Sequence, residues 1–140
     1  MKAMKSMKSV PVSIAAAITT VLGTLLGAGA ARAEISIIDN NKSVAIDCAK
    51  DPVVNLVGNH ITVALNGVCS KISITGNNET VTGAASAVTI AGSRNTVTLS
   101  AADDVIVAGN SNTLIVRKPI KAAAPRITNT GKDNRITPPT

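Results

Sequence analysis

Beyond residue 34 the chain alternates aliphatic and polar residues in short runs that break at glycines. Ile72 and Ile74, Val88 and Ile90, and Val105 and Val107 precede glycines at two-residue spacing. After the glycines, Val63 and Leu65, Val97 and Leu99, and Leu114 and Val116 alternate in the same way. A period of two marks a strand with one buried face, and no window after residue 34 carries a convincing helical period. The runs form strand–turn–strand units on a common frame, aliphatic-x-aliphatic-x-Gly-x-x-Asn-x-aliphatic. The clearest copies contain Gly76, then Gly92 with Asn95, then Gly109 with Asn112. Earlier and later copies contain Gly58-Asn59 and Gly131 with Asn134, and a fainter one opens at Ile37 with Asp39 in the glycine place. Lys42, Ile61 and Glu79 stand where the other copies have the framing Asn. The glycine place thus recurs at Asp39, Gly58, Gly76, Gly92, Gly109 and Gly131, with the short, near-regular period of a repeat architecture.

Glycine admits positive φ, and Asn tolerates the left-handed region while bonding nearby backbone. Gly58, Asn59, Gly76, Gly92, Asn95, Gly109, Asn112, Gly131 and Asn134 are therefore read as structural turn residues. Such units can pair as antiparallel hairpins in a sandwich or barrel, or stack as rungs of a coil. Retention of a whole strand–turn–strand unit, with Asn95, Asn112 and Asn134 at one corner, favours the coil, because stacked Asn side chains can form a hydrogen-bonded ladder. The expected fold is all-β: a small single-stack parallel β-solenoid (β-helix) of about six rungs over 34–137, with 138–140 as a short tail. At about 4.8 Å per rung the rod is roughly 25–30 Å long. Lys118–Pro125 reads as a loop inserted before the last rung, and Pro138 and Pro139 as a stop to further strand addition.

The segment 1–33 has a different character. Lys2, Lys5 and Lys8 precede an uncharged stretch, Val10–Ala31, that closes on Ala31-Arg32-Ala33. This is the order of a secretory signal peptide with cleavage after Ala33. A permanent anchor is the rival, since the uncharged stretch reaches the length of about 20 residues that a span needs. Pro11, Gly23, Gly27 and Gly29 make a poor anchor, so no membrane span is expected after signal removal. Lys2, Lys5, Lys8 and Arg32 leave with the leader, which lowers the formal charge from +6 to +2. Only Arg117, Lys118 and Lys121 cluster, so nucleic-acid binding is disfavoured. The chain contains no Phe, Tyr or Trp, which argues against ring-dependent sugar, nucleic-acid and protein recognition. It also suits a narrow coil filled by stacked Val, Ile, Leu and Ala.

The Gly-x-x-Asn-x-Val repeats, Ile46-Asp47-Cys48, Cys69, and the prolyl loop followed by Ile127–Ile136 resemble a bacterial family known as domain of unknown function 3060. The resemblance covers most of Glu34–Ile136. It implies an exported β-solenoid-like domain and carries no activity with it.

Cys48 and Cys69 are an even pair in an exported chain. They lie a little over one repeat apart, which favours a disulfide across adjacent rungs. Two free thiols, or a metal or redox pair, are the alternatives, the last without further ligands at suitable spacing. His60 is the single histidine and reads as a surface turn residue rather than a base. Asp103-Asp104 reads as a solvated turn, since the repeated Gly and Asp of calcium-binding coils is absent. Thr80 and Thr82 match Thr96 and Thr98. If Val81 and Val97 point inward, these threonines form an outward two-column face like that of ice-binding solenoids, although Thr also suits any solvent-facing strand. No catalytic residue, metal site or cofactor is expected, and an enzyme is the least supported reading. The favoured one is a non-catalytic periplasmic or secreted protein with a structural or interaction role in the cell envelope. Its partner would be an unknown envelope or extracellular protein, and it would be a monomer or self-associate end to end. The alternative is a ligand- or lattice-binding protein using the Thr columns.

Overall fold

The computed structural model describes residues 33–140, so the leader expected at 1–33 lies outside it apart from Ala33, which is exposed. The described chain is built of strands: β1 (Glu34–Asn40), β2 (Ser43–Asp47), β3 (Val53–Asn59), β4 (Thr62–Asn77), β5 (Thr80–Ser93), β6 (Thr96–Ala101), β7 (Asp104–Asn110), β8 (Thr113–Val116), β9 (Arg126–Asn129) and β10 (Arg135–Thr137). Every pairing between them is parallel. Among the described residues no helix is long and apolar enough to cross a membrane.

The chain winds as a β-solenoid of about six turns. One face stacks β1, β3, the second half of β4, the second half of β5, β7 and β9. The other stacks β2, the first half of β4, the first half of β5, β6, β8 and β10. β4 and β5 are long because each continues around the third side of the coil, where the register shifts between Ala64 and Val68 and between Gly83 and Ala84.

Alternation places one side chain in two inside, and the parallel register stacks like on like. Val63, Val81, Val97 and Leu114 form one interior column, and Leu56, Ile74, Ile90 and Val107 another. All are at most 1% exposed. Rows one side chain deep leave space for branched aliphatics packed at interior density, and the sequence supplies no ring to interrupt them. On the narrow third side the column is small: Cys48 and Cys69 form a disulfide with Cα atoms 4.8 Å apart. Ala85 lies in register with Cys69, and both Ala85 and Ala102 are fully buried.

The turn chemistry matches expectation at the glycines and differs at the framing asparagines. The corner glycines Gly58, Gly76, Gly92 and Gly109 take positive φ as expected, 141–157°, but the non-glycine residue with positive φ is the one just before the framing Asn position: Asn41, His60, Asn78, Arg94, Ser111 and Asp133, with φ of 55–59°. Asn95 and Asn112 are not strained turn residues, and are buried instead. The reason lies between turns: each left-handed residue except Asp133 donates its backbone N–H to the following turn, as His60 does to the Asn77 carbonyl at 3.1 Å. The side chain at that position projects away from the core and is unconstrained, which is why Asn, His, Arg, Ser and Asp all occur there.

Candidate functional site

The corner is where the sequence signature becomes geometry. A Cβ placed on Gly92 would lie 1.8 Å from the carbonyl oxygen of Gly76 in the preceding turn, and Gly76 and Gly109 stand in the same relation to Gly58 and Gly92. Glycine is thus needed so that the carbonyl of the turn beneath can enter the corner. That carbonyl is then met by the framing Asn: Nδ2 of Asn95 donates to Gly76 O at 3.1 Å, Asn112 to Gly92 O at 3.0 Å and Asn134 to Gly109 O at 2.9 Å. The Oδ1 atoms of the same side chains accept backbone N–H bonds at 2.8–2.9 Å from Glu79, Asn95 and Asn112. The Asn ladder is therefore side chain to backbone, and each member clamps its own turn onto the previous one.

A second ladder runs outside it through the residues after the glycines. Asn59 Nδ2 donates to Asn40 Oδ1, and Asn77 Nδ2 to Asn59 Oδ1, each at 3.2 Å. Further along, the Oδ1 atoms of Asn77 and Asn110 accept the Ser93 and Lys132 backbone N–H groups. Of this column, sequence reasoning singled out only Asn59. The repeated Gly-Asn dipeptides at 58–59, 76–77 and 109–110 were the available signal.

These contacts use the polar signature of the repeat to join turns, and what faces outward is different. On the second sheet Thr62, Thr80, Thr96 and Thr113 are register partners in one column, with Ala64, Thr82, Thr98 and Ile115 in the next. Val81 and Val97, between the columns, are fully buried, so Thr80, Thr82, Thr96 and Thr98 stand on the outer surface. Neighbouring rungs are about 4.8 Å apart and alternate residues about 6.6 Å apart along a strand. Over these four rungs the patch is uncharged, with regularly spaced hydroxyl and methyl groups, and exposed Arg135 adjoins it in register with Thr113.

The remaining ionisable groups do not converge. His60 is exposed at its corner. Among the described residues no three of His, Cys, Asp and Glu are placed to hold a metal ion. Asp103 is not the solvated turn residue expected. Its carboxylate accepts backbone N–H bonds from Ile120 at 2.7 Å, Lys121 at 2.9 Å and Ala122 at 3.2 Å. These bonds, that from Lys121 foremost, hold its carboxyl below the usual range and pin the prolyl loop to the third side. Glu79 is fully buried in the Asn column, and desolvation raises its pKa to about 7; it faces the interior and cannot reach a solute. A shallow depression of about 340 Å³ lies at the C-terminal end, between Ile115–Arg117 and Thr137–Thr140. It brings together no acid–base pair.

No curated protein and no solved structure matches the chain. Residues 77–133, from the third corner through the prolyl loop to the last corner, match the family described as "Protein of unknown function (DUF3060)", and the chain is similar to that family over this stretch.

Proposed function

We propose that this chain is an exported, non-catalytic β-solenoid protein of the cell envelope, periplasmic or secreted, with a structural or protein-interaction role. The observation that carries the reading is the division of labour among its side chains. The glycines, the framing asparagines and the disulfide are all turned to joining one turn to the next, while the outward sheet presents an uncharged, Thr-rich patch from Thr62 to Ile115. Such a surface suits broad contact with another envelope or extracellular protein better than chemistry on a small molecule. A disulfide-bonded chain preceded by a leader-like segment supports export. Photo-crosslinkers placed at Thr82 and at Thr98 in cells test the role. The same discrete protein captured from both positions, and lost in a Thr96→Lys background that melts like wild type, supports it. No crosslink at either position speaks against the face.

A second reading rests on the register of Thr80 with Thr96 and of Thr82 with Thr98. Two aligned Thr-x-Thr rungs can match a flat lattice such as ice. Replacing all four by Val would then abolish ice-recrystallisation inhibition at unchanged stability, whereas a wild-type protein without that activity removes this alternative.

A further inference from the structure

Three of the six framing positions, Lys42, Ile61 and Glu79, are not amides, and of these Glu79 alone sets a buried carboxyl in the ladder. Glu79 takes the framing position in the third turn, between Ile61 below and Asn95 above. A Cβ built on Gly76 would lie 1.8 Å from Gly58 O and 2.9 Å from Glu79 Oε1. At the last corner, a Cβ on Gly131 would lie 1.5 Å from Gly109 O and 2.7 Å from Asn134 Nδ2. Glu79 Oε1 therefore occupies the place of the amide nitrogen that, in the last turn, donates to the glycine carbonyl at 2.9 Å. A carboxylate there sets acceptor against acceptor inside the coil, and both Glu79 oxygens lack a donor. A carboxylic acid has the O–H that the position calls for.

We propose that Glu79 is a structural proton site, whose carboxylic acid stands in for the ladder amide and donates to the Gly58 carbonyl, so that deprotonation opens the joint between the second and third turns. Among the described residues no positive charge is paired with Glu79 to compete with the proton. On the adjoining corners the titratable residues are His60 and Arg94, both exposed. Lys71, on the strand leading into this corner, is exposed too, and Lys42 one turn below His60 is paired with Asp39 at 3.2 Å. Among the described residues the ion pairs are Asp39–Lys42 and Asp47–Lys50, and neither includes Glu79. Burial then acts alone and favours the neutral acid, in line with the elevated pKa of about 7. The device makes the corner tight in mild acid and loose in mild base.

Carbon-13 NMR of the Glu79 side-chain carboxyl across pH 4 to 9 reads the proton directly and needs no variant. A midpoint above about 6 is expected, and one at or below about 6, nearer the ordinary glutamate value, overturns the proposal. Amide exchange, corrected for its intrinsic pH dependence, gives the consequence. Opening at Ile61, Glu79 and Thr80 should rise at least tenfold between pH 6 and pH 8 in wild type and stay level in Glu79→Gln, whose amide keeps a donor at every pH. Equal pH dependence in the two proteins also overturns it.

Discussion

At the scale of single residues, Glu79 is a place where the chain departs from its own rule with a buried ionisable group, and the departure has a sign. Its pKa is raised from an ordinary 4.5 to about 7 in the folded molecule. The folded state therefore holds a proton that the unfolded state releases between those values. Stability is fully present below about pH 4.5, falls as pH rises toward 7, and reaches its lower level above that. Glu79→Asn should remove the dependence and restore both ladder bonds at this corner. The expected gain at pH 8 is about 1–3 kcal/mol, smaller at pH 5, read as the difference between urea midpoints at the two values. A variant no more stable than wild type at pH 8 would show that the carboxyl is ordinarily solvated. The Gly-x-x-Asn frame was legible in the sequence as a recurrent corner of the repeat, but its physical meaning was not. Local turn chemistry pointed to positive φ at Gly and Asn, and the glycines do take it, but the second positive φ falls on the residue before the Asn. The bonds of the framing Asn to other turns run to residues 16–25 positions away, and no local pattern displays a partner at that distance.

At the scale of elements, alternation was enough to place the strands and too little to end them. Thr80–Val81–Thr82 and Val88–Ile90 read as separate runs, yet β5 carries both because the chain stays extended around the third side. Small residues make that possible, since Gly83, Ala84 and Ala85 let the chain bend without losing its neighbours. In the first two turns the same side is closed by the Cys48–Cys69 disulfide, which bridges a sequence separation of 21. A loop of that size stabilises by about 3 kcal/mol in the chain-entropy model, so reduction should lower the melting temperature by more than about 10 °C. An unchanged melt on complete reduction would mean that the first turn contributes nothing to the cooperative unit. The loop at 117–125 depends instead on Asp103. Because its pKa is lowered, the hold exists above the ordinary carboxylate pKa and is lost as pH falls through the lowered value. Asp103→Ala should make Lys121 a rapid trypsin site at neutral pH while the strands melt nearly as before. Wild-type resistance in that variant would show that Pro119 and Pro125 alone fix the loop. An Asp-Asp pair at a turn gives no sign of this, since the N–H groups it binds lie 17–19 positions later.

At the scale of the whole molecule, the period of the repeat was the most legible feature, because each turn must bury the same positions against its neighbours. How the stack ends was less legible. Ile35 and Val44 in the first turn, and Ile127 and Ile136 in the last, are only partly buried against the core. The ends also differ in charge. Glu34, Asp39, Asp47 and Asp51 face Lys42 and Lys50 in the first turn, while Arg126, Lys132 and Arg135 face a lone Asp133 in the last. Half-covered apolar layers and opposite charge both favour stacking one copy's last turn under another's first. The corner opposes it. In register, Asp39 would lie over the Gly131 carbonyl, where every later turn needs glycine so that a carbonyl can enter at the 1.5–1.8 Å approach. Lys42 would replace the amide that meets that carbonyl, and Pro138 and Pro139 remove two N–H donors from the last strand's edge. We therefore expect the 34–140 chain to sediment as a monomer at millimolar concentration. The combined variant Asp39→Gly, Lys42→Asn, Pro138→Val, Pro139→Thr should form end-to-end oligomers that weaken with salt. If wild type already oligomerises, Asp39 is no stop. If the variant stays monomeric, the corner is not what keeps the ends apart.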